Sequence, residues 1–325
     1  MRKLFNIKKN LGDKIINVFN THTGGEPTRI LFGDQLSLKG KTIGEKRDSF
    51  KKKYDWIRKI LMREPRGHKN MFGAIILKSK KKDFAIFFMD NEGYLDMCGH
   101  AIIGISVLLN QIGKLKDKKN IYYETPAGKI GVRLHKNKNK ITIINFISYL
   151  LFANFNINTS KGKIKGDLCY SGNYVFIVKS NKKLLIKTLI SYGLEIKEKI
   201  NNLRLYDSIK KRYFKISLVE FFHQEKPQVY SNFVVFGSGQ LDRSPCGTGS
   251  CSKLAQLYSH NKLKVGKRIL VKSPIGSLFS AKIIEVKKIA KTDLLSSEIT
   301  GSAFITSIQK MYLEKKDIFQ KGFII

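Results

Sequence analysis

Two stretches of the chain repeat one pattern. "MCGHAIIGISVLL" and "PCGTGSCSKLAQL" each set a Cys-Gly pair after a strand-like segment and before a helix-like run. The two cysteines, Cys98 and Cys246, stand 148 positions apart, close to the length of one domain. At about 150 residues per domain, a chain of 325 residues has room for two such units. The pattern therefore predicts a duplicated α/β unit with one thiol in each half. No tandem repeat of shorter period competes with it.

The rest of the chain fits mixed α/β. "KIINVFNTHTGGEPTRILFG" reads as strand, Gly-rich loop, strand. "SFKKKYDWIRKILM" carries helical spacing at Phe50, Tyr54, Ile57 and Leu61. "FGAIILKS" and "DFAIFFMD" read as strands about a lysine-rich turn, and the helix after Cys98 closes at Gly113. A second block opens near residue 154, with a long helix in "LLIKTLISYGLEIKEKINNL" that Gly193 is expected to interrupt, and then strands to the C-terminus. No Pro-, Gly- or Ser-rich linker divides the blocks.

A helix N-terminus carries unpaired N–H groups and partial positive charge. It is expected to stabilise a thiolate at Cys98 and Cys246 and to lower their pKa. The same N–H groups suit a carboxylate, and Gly99, Gly247 and Gly249 allow close approach of a ligand to the backbone. Two such helix starts would grip one carboxylate and place a sulfur on each side of the adjacent carbon. That arrangement suits moving a proton from one face of a carbon acid to the other.

Other residues have weaker claims. Cys169 and Cys251 read as packing residues. Cys251 lies five positions beyond Cys246, which on a helix turns it roughly 140° away. A zinc set of Cys246, Cys251 and His260 lacks a CxxC pair. His100 follows Cys98 closely enough for its ring to tune the thiol. Asp242 is the best candidate to accept hydrogen bonds from a substrate amine, or else caps the helix. "THTGGEPTR", which holds His22, fits neither phosphate-loop pattern.

Charge excludes less than its size suggests. Lys+Arg number 61 against 25 Asp+Glu, a formal +36. The lysines fall in short runs, "KKK" at 51–53, "KSKKK" at 78–82, "KDKK" at 116–119 and "HKNKNK" at 135–140, between apolar segments where solvated turns belong. No nucleic-acid-binding pattern accompanies them, so no nucleic-acid partner is expected. "AIIGISVLL" is too short to span a bilayer, and the N-terminal twenty residues lack the apolar stretch of a secretory signal. Four cysteines are too few for a disulfide framework at this length, which points to the cytoplasm.

"THTGGEPTRI", "MREPRGHKNMFGAI", "FMDNEGYLDMCGH", "YETPAGKIG" and "DRSPCGTGS" stand in the order seen in the proline racemase family, which includes the 4-hydroxyproline epimerases. "ITGSAFIT" at 299–306 and "DIFQKGF" at 317–323 resemble that family's C-terminal end. The resemblance runs from about residue 15 to 323.

It implies a diaminopimelate epimerase-like fold: two pseudo-symmetric α/β halves, each with a central helix wrapped by sheet, and an active site in the cleft between them. It implies a first half of residues 1–153 plus 303–325 carrying Cys98, and a second of 154–302 carrying Cys246. It makes Cys98 and Cys246 the catalytic thiols. Gly99, His100, Ala101, Gly247 and Thr248 would bind the substrate carboxylate, and Asp242 would face the ring nitrogen. No cofactor or metal and a homodimer are implied. The substrate would be a small imino acid.

Relatives that dehydrate 3-hydroxyproline replace one cysteine with Ser or Thr. Both cysteines stand here, which favours epimerisation. Asn173 after Gly172, and "SPIGSLF" at 273–279, lean to trans-4-hydroxy-L-proline going to cis-4-hydroxy-D-proline, with proline as the alternative and a non-catalytic amino-acid-binding protein on the same scaffold as a further one that the two cysteines argue against. Four positions depart from the family pattern: Ser171 for the first Gly of a pair, Ile147 for Pro, Asp96 for Asn or Gly, and Arg63 for an apolar residue.

Overall fold

In a computed structural model, residues 14–115, 118–180 and 186–324 are described. The N-terminal thirteen residues and part of the "KDKK" run lie outside the described residues, as does the start of the "LLIKTLISYGL" helix. The chain forms two compact units. The first runs to Ile141 and resumes at Ser302; the second is Thr142–Gly301.

In the first unit, β1 (Lys14–Thr23) and β2 (Glu26–Phe32) form a hairpin. Its two turn residues, Gly24 at φ 56° and Gly25 at φ 91°, supply the positive φ that a tight two-residue hairpin needs. The "THTGGEPTR" stretch is this turn, and no phosphate loop. Then come α1 (Ile43–Met62), β3 (Gly73–Lys78), β4 (Phe84–Met89), β5 (Tyr94–Leu95), α2 (Gly99–Gln111), β6 (Asn120–Thr125) and β7 (Gly128–Leu134). α1 begins six residues before the stretch singled out by apolar spacing. A capping box starts it: Glu45 N–H donates to Thr42 Oγ1, and Thr42 N–H to the Glu45 carboxylate, both at 3.2 Å. Phe50, Ile57 and Leu61 are buried on its inner face against Phe87 and Ile75 of the sheet. Burial of each such side chain contributes about 1.5–3 kcal/mol.

The chain crosses to the second unit within β8 (Lys140–Thr159). It continues through β9 (Gly162–Tyr170), β10 (Tyr174–Lys179), α3 (Ile186–Asn201), a small β11 (Leu205–Asp207) and β12 (Arg212–Phe214) pair, and β13 (Leu218–Lys226). Then follow β14 (Val229–Phe236), β15 (Gln240–Leu241), α4 (Gly247–Ser259), β16 (Arg268–Lys272) and β17 (Leu278–Ile289), and β18 (Thr292–Leu313) leads back. Gly193 does not interrupt α3. A Cβ there would lie 2.9 Å from Val235 Cβ, so the glycine lets an unbroken helix sit tightly on β14.

The two units share one topology. The first is ordered β8-β7-β6-β4-β3-β2-β1-β18 and the second β8-β9-β10-β13-β14-β16-β17-β18, and β8 also pairs with β18. Antiparallel β1–β2 matches β9–β10, parallel β2–β3 matches β10–β13, and parallel β4–β6 matches β14–β16. In each unit a short strand, β5 or β15, leads directly into a central helix that begins after a cysteine. α2 is buried from Gly99 to Leu109 and α4 from Gly247 to Leu257. No helix among the described residues is long and apolar enough to cross a membrane.

Candidate functional site

The residues singled out in the sequence form two clusters, one in each unit. In the first, Cys98 is the N-cap of α2, in extended backbone at φ −148° and ψ 109°. Its Sγ accepts the N–H of Ala101 at 3.4 Å. The N–H groups of Gly99 and His100, in the first turn, have no partner within the helix. The His100 ring lies against the sulfur, with Nδ1 at 3.4 Å, and packs edge-on to Phe72 with centroids 4.8 Å apart. Burial pushes the imidazole down to about 3, so the ring is neutral beside the thiol. Two contacts hold the helix start in place. Thr23 Oγ1 donates to the His100 carbonyl oxygen at 2.8 Å, and Gly104 lets the helix approach β1 so closely that a Cβ would lie 2.5 Å from Thr21 Oγ1.

In the second, Cys246 is the N-cap of α4, at φ 63° and ψ 111°. A positive φ at a non-glycine residue costs on the order of 1–3 kcal/mol and persists only where the surroundings impose it. Here Asp242 Oδ1 accepts Ser244 N–H at 2.8 Å, and Ser244 Oγ accepts Cys246 N–H at 3.1 Å. These two bonds wind the chain into the strained turn. The sulfur accepts Gly249 N–H at 3.3 Å and lies 3.4 Å from Thr248 Oγ1. The N–H groups of Gly247 and Thr248 stand at the same positions as those of Gly99 and His100.

One expectation is overturned at Cys246. Its thiol is pushed well up, not down. Burial does most of this and the Asp242 carboxylate adds to it; the Thr248 hydroxyl and Gly249 N–H pull the other way and lose. Asp242, only 5% exposed, is itself pushed up to about 6 by burial, against the Ser244 hydrogen bonds that favour its charged form.

The remaining candidates lie elsewhere. Cys169, on β9, and Cys251, on α4, are fully buried free thiols pushed up by burial. His22 Nδ1 accepts Gly25 N–H at 3.2 Å and its ring stacks on Phe304, which gives it a place in the hairpin. Among the described residues, no three His, Cys, Asp or Glu side chains converge as a metal set. The departures from the family pattern also find local partners. Asp96 pairs with Arg47, Arg63 is the C-cap of α1, and Ile147 is an exposed position of β8. Ser171 is fully buried and bonds α4.

Sequence reasoning missed a buried ion pair alongside α4. Lys253 Nζ lies 3.3 Å from Glu220 Oε1, and both side chains are 0% exposed. Burial pushes the Glu220 carboxyl up and the Lys253 ammonium down. The available signal was Lys253 itself, a lysine two turns beyond Cys246 in a helix of small and apolar residues.

Two topologically matched α/β units, each with a thiol at the N-cap of a buried central helix, define the diaminopimelate epimerase-like class of fold. The known structures agree. A hydroxyproline epimerase from Agrobacterium vitis, crystallised with bound trans-4-hydroxy-L-proline, superposes with a TM-score of 0.87 at 23% identity, over 96% of this chain and 95% of its own. Within that class, the family model for proline racemase matches residues 18–324. The chain is 35% identical over 332 residues to the proline racemase of Acetoanaerobium sticklandii, covering 96% of this chain and 99% of that one. It is 33% identical over 331 residues to the 4-hydroxyproline 2-epimerase of Shewanella loihica, covering 94% and 96%. The chain belongs to the proline racemase family, and it is an isomerase of the amino-acid racemase and epimerase kind.

Proposed function

We propose that the protein inverts the α-carbon of 4-hydroxyproline, converting trans-4-hydroxy-L-proline to cis-4-hydroxy-D-proline, with Cys98 and Cys246 as the two proton-transfer thiols. The observation that carries this reading is the duplication itself. In each unit a short strand leads to a cysteine whose sulfur accepts a first-turn N–H of a buried helix, with further N–H donors beside it.

In this reading one thiolate removes the α-proton and the other thiol delivers a proton to the far face. The N–H groups of Gly99, His100, Gly247 and Thr248 serve the substrate carboxylate, where they also stabilise the charge that develops as the α-proton leaves. The N–H of Ala101, expected to join them, is taken by the Cys98 sulfur. Asp242 accepts hydrogen bonds from the ring ammonium. A neutral His100 puts no second positive charge beside Cys98. The residues of the chain carry every step, so the reaction needs no cofactor or metal. The resemblance further implies a homodimer, and the four free thiols favour the cytoplasm, where thiols stay reduced.

Proline is the second reading, favoured by the 35% identity to a proline racemase. The test compares kcat/KM for the two substrates by ¹H NMR loss of the α-proton in D₂O. A pocket that hydrogen-bonds the ring hydroxyl rejects proline by up to about 10⁴-fold, and an apolar pocket discriminates by about 10²-fold or less. Equal turnover of proline and 4-hydroxyproline would replace the epimerase reading with proline racemase.

A further inference from the structure

We propose that Glu220, held by Lys253 beside the first turn of α4, is a positioning residue that keeps the Cys246 sulfur in its protonated, proton-donating form. The proposal rests on the two-thiol reading for its catalytic consequence, and on geometry for its physical content.

The geometry centres on Gly249. A methyl group at that position would lie 2.5 Å from Glu220 Oε2 and 3.3 Å from Cys246 Sγ. The carboxylate oxygen and the sulfur therefore lie within about 6 Å of each other, beside the same glycine. Glu220 projects from β13 and is 0% exposed, and its Oε2 has no hydrogen-bond partner among the described residues. A buried carboxylate whose charge is met by a single ammonium is costly. It has no packing advantage over a glutamine or methionine of similar size, which makes its charge the property to explain.

Lys253 holds that charge in place. Its ammonium lies 3.3 Å from Glu220 Oε1, donates to Gln256 Oε1 at 2.9 Å and sits 2.9 Å from the centre of the Phe222 ring. Gln256 in turn donates to Asp167 Oδ2 at 2.7 Å, and His260 contacts the same oxygen at 2.9 Å. The line of polar side chains thus runs from the thiol along α4 to a half-buried histidine at its C-terminal end. The other ionisable groups around Cys246 and Glu220 are Asp242 and Arg243, ahead of α4, and Cys169, on β9.

The sign follows from Coulomb's law. A negative charge this close to sulfur disfavours the thiolate, and Glu220 acts in that direction on Cys246, alongside burial and Asp242. Cys98 has its own environment, a neutral His100 ring against its sulfur. A two-base proton transfer needs one base and one acid at any instant, and Glu220 biases Cys246 toward the acid.

The experiment reads the pH dependence of iodoacetamide alkylation at Cys246 in the full-length protein, followed by mass spectrometry of the Cys246 peptide. Removing the charge in Glu220→Gln should lower the pH midpoint of alkylation by one unit or more, so that the rate at pH 7 rises about tenfold or more. Glu220→Asp should restore wild-type behaviour in part. Glu220→Gln leaves a buried lysine unpaired, so Glu220→Gln/Lys253→Met, which removes both charges at similar volume, carries the test if the single variant does not fold. It should move the midpoint in the same direction. A Cys246 midpoint that stays at the wild-type value, or rises, in a folded variant would overturn the proposal. The readout does not depend on turnover. A failure of the two-thiol reading shows separately, as inversion that survives Cys246→Ala.

Discussion

The Ser171 hydroxyl donates to the Thr248 carbonyl oxygen at 2.8 Å, and Ser252 Oγ lies 2.8 Å from the same hydroxyl. A residue at the turn between β9 and β10 thus fastens the first turn of α4, two residues after Cys246. In the sequence Ser171 stood out only as a departure from the family's glycine. In the structure both of its bonds go to the helix.

Ser171→Gly removes these bonds and leaves a buried Ser252 hydroxyl short of a partner. The expected cost is about 1–3 kcal/mol. At roughly 2–4 °C per kcal/mol for a chain of this size class, thermal unfolding should drop by several degrees. The ratio of kcat/KM for 4-hydroxyproline over proline should change less than threefold. A larger change in that ratio, with an unaltered melting temperature, would place Ser171 at the substrate instead.

Gly104→Ala tests how closely α2 sits on β1. The added methyl meets Thr21 Oγ1 at 2.5 Å. Overpacking of this kind costs about 1–3 kcal/mol. The helix that carries Cys98 must also shift, so kcat should fall at least tenfold. Urea unfolding and steady-state kinetics on one preparation read both effects. Gly104→Ala/Thr21→Ala, which removes the hydroxyl that the new methyl meets, should recover part of the stability.

His100 sets a pH dependence of stability. Its folded pKa, about 3, lies below an unfolded value of about 6.5. Between these values the unfolded chain binds the extra proton, so the stability His100 contributes is present above about pH 6.5 and is lost as pH falls toward 3. The slope for one group is about 1.4 kcal/mol per pH unit. Asp242 runs the other way: its folded pKa is raised to about 6, so its contribution is lost as pH rises through that value. Urea midpoints from pH 7.5 to 4.5 should fall more steeply for the wild type than for His100→Gln. Parallel curves would show that the ring is solvated.

Cys169→Ala and Cys251→Ala separate buried thiols from working ones. Both sulfurs are fully buried. Each substitution should cost about 1 kcal/mol or more of stability by leaving a small cavity while kcat/KM stays within threefold of wild type. Loss of inversion in either variant, with the fold intact by circular dichroism, would mean that a third thiol takes part.

Much of this was legible in the sequence where the signal was local. The Cys-Gly start of α2 and α4, the strands β3 and β4, and the closing Gly113 follow from capping and periodicity over a few residues. What escaped depends on distant pairings. The start of α1 at Ile43 is set by the capping box of Thr42 and Glu45, ahead of the apolar stripe. Gly193 read as a breaker because its reason, the approach of Val235, lies on another element. Glu220 and Lys253 are 33 positions apart and meet only once β13 and α4 are packed, so neither looked functional alone. The thiol of Cys246 went up rather than down for a related cause. The helix N-terminus is visible in the sequence, whereas the desolvation that outweighs it comes from the whole unit.

The central claim is that two thiols, one in each unit, exchange a proton with the α-carbon. Its most direct test is inversion of 4-hydroxyproline by Cys98→Ala and Cys246→Ala, followed by chiral chromatography. With one acid or base removed, the remaining thiol can work on one face alone, so each variant should lose inversion by about 10³-fold or more. The double variant should be little worse, since members of one catalytic unit are not additive. Inversion by either single variant at more than about a tenth of the wild-type kcat would contradict the account, since effects of the size that mark a catalytic unit would then be missing.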